Sequence, residues 1–144
     1  MSRALVYAMR VRFAECDPQG IVFNSRYLEY FDVAMTEIWR EAIGPYDTAT
    51  AGAGVDLVVA EAGIRYRDSL RFDEEFELRA TVSRMGTTSM TTTIEVVRDG
   101  TVVAEGELRH VFLAREGGRP TSIPAAVRSA FEPYVDQGDD PTPA

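Results

Sequence analysis

Lysine is absent from the 144 residues, and all 15 basic residues are arginine. Schiff-base catalysis and the phosphate-holding lysine of a P-loop are therefore excluded. Cysteine and histidine occur once each, as Cys16 and His110. One thiol cannot close an internal disulfide, and one thiol with one imidazole falls short of a structural zinc site. No metal is expected. Nor is there an apolar run of about 18 residues, the length a membrane-crossing helix needs. The opening Met-Ser-Arg-Ala-Leu lacks the apolar core of a secretory signal, so the expected location is cytoplasmic, without membrane insertion. Basic charge is also scarce overall. A net charge of -8 argues against nucleic acid and anionic membrane partners, which call for a concentrated basic patch.

What is present suits one globular domain: 45% hydrophobic and 26% charged residues on a chain long enough for a single core. Leu5 to Phe13 is rich in β-branched and aromatic residues, with Arg10 and Arg12 alternating, and predicts a strand. Asp17-Pro18-Gln19-Gly20 breaks that pattern as a turn. From about Ser25 the apolar residues Tyr27, Phe31, Ala34, Met35, Ile38 and Ala42 fall on one helical stripe, with Asn24 or Ser25 as N-cap and Gly44-Pro45 as the stop. Such a helix would run to about 27 Å.

A Gly/Ala/Thr-rich connection is expected around Thr48 to Gly54, followed by strands. Val55 to Arg67, Phe76 to Val82, Met90 to Val96 and Thr101 to Ala114 show strand patterning, and Asp99-Gly100 is a two-residue hairpin signal. The expectation is a four-strand antiparallel meander. A short helical stretch follows Ile123-Pro124 to about Val135, and Asp136 to Ala144 has the composition of a disordered tail. One long helix with an antiparallel sheet of about five strands is an α+β domain, and its open sheet edges favour self-association.

The chemistry concentrates between the first strand and the helix. Asp17 lies in a turn a few residues before a helix whose first N–H groups have no intrahelical acceptor. A carboxylate beside such donors supplies two elements of acyl transfer, a group that attacks or activates water and donors for the developing oxyanion. An Asx-turn role for Asp17 fits the pattern equally at this point. His110 sits among apolar strand residues and reads as a buried, hydrogen-bonded sheet residue rather than a triad member. Cys16 has nothing nearby in sequence to lower its pKa and reads as a small buried hydrophobe.

The run Phe13-Ala-Glu-Cys-Asp17-Pro-Gln-Gly20-Ile-Val-Phe-Asn24-Ser-Arg-Tyr27-Leu-Glu-Tyr-Phe31-Asp resembles the signature of the 4-hydroxybenzoyl-CoA thioesterase family, which includes the acyl-CoA thioesterases of bacterial Tol-Pal clusters. The likeness is weaker elsewhere but extends over residues 3 to 135, through the Gly86-Thr-Thr-Ser turn and Ile123-Pro124. It implies a hotdog fold over residues 1–135, in which the sheet wraps the long helix and two protomers join edge to edge with active sites at their interface. It further implies hydrolysis of an aryl- or fatty acyl-CoA, coenzyme A being part of the substrate and no cofactor being needed. Asp17 would be the catalytic carboxylate, the N–H near Asn24 the thioester-polarising donor, and Gly20 the residue that lets the loop approach. Relatives carry tyrosine or histidine where Asn24 stands, and asparagine cannot act as a base at neutral pH.

Substrate contacts are expected from Phe23, Tyr27, Glu61, Arg84, Thr88 and Ser89, with Phe31 and Met90 also candidates for the acyl pocket. Arg65, Arg67, Arg84, Arg109, Arg115 and Arg119 are the candidate counter-charges for coenzyme A. Two other readings stay open on the sequence: a non-catalytic acyl-CoA-binding or assembly dimer, and a hotdog hydratase. The Asp17-to-Gly20 loop speaks against the first. The absence of a histidine near Asp17 speaks against the second.

Overall fold

The computed structural model describes residues 2–136. Five strands, β1 (Leu5–Arg10), β2 (Val55–Tyr66), β3 (Glu75–Met85), β4 (Ser89–Arg98) and β5 (Thr101–Ala114), form one antiparallel sheet in the order β1-β3-β4-β5-β2. Three helices accompany it: α1 (Arg26–Ala42), α2 (Tyr46–Ala53) and α3 (Ala125–Phe131). This is the expected α+β arrangement.

Helix α1 buries Tyr27, Tyr30, Phe31, Ala34, Met35, Ile38 and Trp39. That face packs with Leu78, Ala80 and Val82 of β3, Ile94 and Val96 of β4, and Leu108 and Phe112 of β5 in one core. Alternation along β3 and β4 is what places one residue in two on that core. The helix stops where the sequence predicts, with the Ile43 and Gly44 N–H groups both donating to the Trp39 carbonyl. The Asp99-Gly100 hairpin is confirmed by positive φ at both residues, +51° and +78°, as a tight turn between paired strands prefers.

Three expectations need correction. The first strand ends at Arg10, and Phe13–Glu15 is a single 3-10 turn. The connection after α1 contains the helix α2, closed by Gly54 at φ +73°; its Thr50 is tied by the Arg115 guanidinium, which also donates to the Val55 carbonyl. The meander has three strands, not four. Strand β2 crosses to the far edge and pairs with β5, leaving β1 beside β3. Where β2 passes β5, a Cβ on Gly106 would overlap the Gly63 carbonyl oxygen. Of the segment expected as a tail, Asp136 donates its N–H to the Val82 carbonyl, and the remainder lies outside the described residues.

Candidate active site

The loop between β1 and α1 is held from three sides. Its Asp17 N–H donates to the Ile21 carbonyl at 2.9 Å and Gly20 N–H returns to the Asp17 carbonyl at 2.9 Å, a tight reversal that Gly20 permits at φ +79°. Val22 N–H donates to Leu70 O and Phe23 N–H to Glu15 O, which fasten the loop to the β2–β3 connection and to its own start. Below it lies a buried carboxylate. Glu15 is 6% exposed and accepts from the Arg12 N–H at 2.8 Å, the Arg12 guanidinium and the Tyr30 hydroxyl at 2.9 Å. Burial pushes the Glu15 carboxyl up, but these donors outweigh it and hold it below the ordinary carboxylate range.

Asp17 uses its two oxygens differently. Oδ1 accepts the Gln19 N–H at 2.8 Å, an Asx turn, while Oδ2 has no partner among the described residues. The turn and catalytic readings are thus compatible. Asp17 lines a cavity of about 210 Å³ together with Phe23, Asn24, Tyr27, Tyr66 and Ser69.

The start of α1 supplies the donors. Ser25 occupies the N-cap position in helical conformation without a side-chain cap bond. Arg26, Tyr27 and Leu28 N–H groups turn back to Phe23, Asn24 and Ser25 carbonyls at 2.9, 3.3 and 3.2 Å. That leaves the N–H groups of Asn24 and Ser25 without an acceptor among the described residues. An uncapped helix start beside a free carboxylate oxygen is an arrangement that can polarise a carbonyl and attack it.

Of the remaining expected contacts, Phe23 is half exposed at the cavity, whereas Tyr27 is buried and its hydroxyl accepts the Leu70 N–H at 3.0 Å. Phe31 and Met90 are fully buried core residues. Glu61 stands on the edge strand β2, 3.7 Å from Arg109, and lines a different cavity. Arg84, Thr88 and Ser89 lie at the opposite end of the sheet from Asp17. Tyr66, in the Asp17 cavity, is in register with Ala104, whereas Ser89 is in register with Val111. Seven residues of β5 separate the two positions, about 23 Å at the usual strand rise. Among the candidate arginines, Arg65, Arg67, Arg109 and Arg115 are ion-paired on the sheet surface, and Arg84 and Arg119 have no acidic partner among the described residues.

Sequence reasoning missed Tyr66, Ser69, Glu15 and Tyr30. Tyr66 and Ser69 lie on other elements, Tyr30 reads as ordinary core and Glu15 as a solvated loop residue, and no local pattern marks them. His110 is buried on β5, and its Nδ1 has no hydrogen-bond partner among the described residues, so the expected side-chain bond is not observed. It faces a separate cavity with Asp32, Thr36, Tyr46 and Val59. Cys16 is partly buried at the loop, and burial with the charges of Glu15 and Asp17 pushes its thiol up, away from nucleophilic use. Among the described residues no group of three His, Cys, Asp or Glu side chains could hold a metal ion, and no helix is long and apolar enough to cross a membrane.

Residues 11–131 match the profile of the thioesterase-like superfamily. A putative esterase of Aquifex aeolicus is 30% identical over 122 residues, covering 85% of this chain and 93% of its own. The acyl-CoA thioester hydrolase YbgC of Escherichia coli is 24% identical over 127 residues, covering 88% and 94%. Among solved structures, a gentisyl-coenzyme A thioesterase superimposes with a TM-score of 0.79 at 25% identity, covering 88% of this chain and 99% of its own.

Proposed function

This chain belongs to the thioesterase-like superfamily and is a hotdog-fold thioester hydrolase, and we propose that it cleaves aryl- or fatty acyl-CoA with Asp17 as the catalytic carboxylate. The observation that carries the proposal is that Asp17, whose Oδ2 has no partner among the described residues, lines one cavity with Asn24 at a helix start where the Asn24 and Ser25 N–H groups have no acceptor among the described residues. In this reading the thioester carbonyl oxygen accepts from those N–H groups, and the helix end stabilises the charge that develops there. Asp17 Oδ2 attacks the carbonyl carbon. The new C–O bond and the broken C–S bond leave a mixed anhydride and a coenzyme A thiolate, which takes a proton from water. Water then opens the anhydride to free acid and restored carboxylate. The competing route has Asp17 activate water directly, and rapid-quench mass spectrometry separates them by an acyl adduct on the Asp17 peptide.

The substrate's coenzyme A portion is proposed to meet Arg84, Thr88 and Ser89 of a second protomer, since the same protomer places them at the far end of its sheet. The exposed edge of β2 supports that assembly: Val58 and Val59 are about half exposed there, and an open edge with apolar side chains invites a partner. A screen of thiol release over benzoyl-, short-chain and long-chain acyl-CoAs, with and without EDTA, tests the proposal. The expected result is metal-independent turnover of at least one class. Loss of all turnover in EDTA would overturn the mechanism.

A further inference from the structure

The start of α1 is not capped by its own residues, yet one of its peptide units is held from outside. Tyr66, the last residue of β2, donates its hydroxyl to the Asn24 carbonyl at 2.8 Å. Among the described residues the only other donor to that carbonyl is the Tyr27 N–H at a longer 3.3 Å. The Asn24 carbonyl and the Ser25 N–H belong to the same planar trans peptide and point in opposite directions. Fixing the carbonyl therefore fixes where the Ser25 N–H points, and a hydrogen bond accepted at the oxygen makes that N–H a stronger donor.

The Tyr66 ring is itself placed. It meets the Tyr27 ring edge-on, centroids 5.4 Å apart at 83°, and Tyr27 is anchored in turn by the Leu70 N–H. Tyr66 is nonetheless 48% exposed and lines the cavity that contains Asp17, so core packing does not account for its hydroxyl. We propose that Tyr66 is a positioning residue for the oxyanion donors, locking the Asn24–Ser25 peptide so that its N–H faces the thioester carbonyl. The inference rests on the reading of Asp17 and the helix start given above.

The test uses the full-length chain with benzoyl-CoA carrying carbon-13 at the thioester carbonyl. Tyr66→Phe keeps the ring contact with Tyr27 and removes only the hydroxyl. It should lower kcat on the order of 10-fold, less than loss of an oxyanion donor itself, with KM within about twofold and an unchanged melting temperature. Infrared difference spectra read the donors directly. In the Asp17→Asn background the bound carbonyl band should shift down from its free position, and adding Tyr66→Phe should shrink that shift. An unchanged kcat in Tyr66→Phe, or equal carbonyl shifts with and without the hydroxyl, overturns the inference. A raised KM with unchanged kcat also overturns it, since the hydroxyl would then be binding substrate directly. Failure of the Asp17 reading shows separately, as near wild-type kcat in Asp17→Asn alone.

Discussion

Asp17 serves the fold and the chemistry with different atoms. Oδ1 closes the turn through Gln19 N–H, while Oδ2 has no partner among the described residues and the residue lines the cavity. Asp17→Asn keeps an oxygen for the turn and removes the negative charge, so the loop should persist while turnover falls on the order of 10²-fold or more. Steady-state kinetics with a melting curve check this, and a near wild-type kcat would sink the assignment. Asn24→Ala should cost far less, because its contribution is a main-chain N–H that alanine retains. Turn chemistry and the helix start that follows left Asp17 open between an Asx turn and a catalytic carboxylate, and it was the resemblance of its run to the thioesterase signature that favoured the second. The sequence could not show Tyr66, because its contact with Asn24 spans 42 positions and exists only once β2 reaches its place in the sheet. Glu15 escaped for another reason: an acidic residue in a loop reads as solvated, and its burial depends on Tyr30 and Arg12 converging on it.

Helix α1 was readable because its apolar period and its Gly44-Pro45 stop are both local signals, and the core it buries follows from the stripe. Strand pairing is less local. Alternation tells which face a strand buries but not which neighbour it takes, so β2 was recognisable as a strand and misplaced as the neighbour of β3. The register of β2 on β5 also gives Gly106 a role that no turn or hairpin signal announces. Gly106→Ala drives a methyl into the Gly63 backbone, and backbone cannot swing away as a side-chain end does. A loss of about 1–3 kcal/mol or more is expected in urea unfolding. Gly100→Ala should cost about 1 kcal/mol, because only the positive φ of the hairpin is opposed there and no atom lies within reach of the added methyl. If Gly106→Ala proved as mild as Gly100→Ala, the close crossing of β2 and β5 would be wrong.

Taken as a whole, the molecule has two open edges and a strongly acidic surface. Sedimentation at micromolar concentration should find a dimer, and a stable, active monomer would contradict the interface site. Acid behaviour follows from groups buried inside. The His110 imidazole is pushed below its ordinary value by burial, so the folded chain resists a proton that the unfolded chain accepts near pH 6.5. Stability should therefore fall as pH drops through about 6.5 toward 5. Glu15 acts in a lower window. Its carboxyl is held below the ordinary range, so its contribution is present above about pH 4.5 and is lost as pH falls through the folded value. Asp32, in the same cavity as His110, works the other way: burial and the charge of Glu29 push its carboxyl up, which favours the folded form in acid and offsets part of the Glu15 loss. The destabilising limb below about pH 6.5 thus belongs to His110, since Asp32 acts in the opposite direction and Glu15 below about pH 4.5. His110→Leu removes both the titration and the unpaired Nδ1, so the urea midpoint should become nearly flat between about pH 5 and 7 and be no lower at neutral pH. A variant that kept the wild-type slope over that range would show that another group carries it.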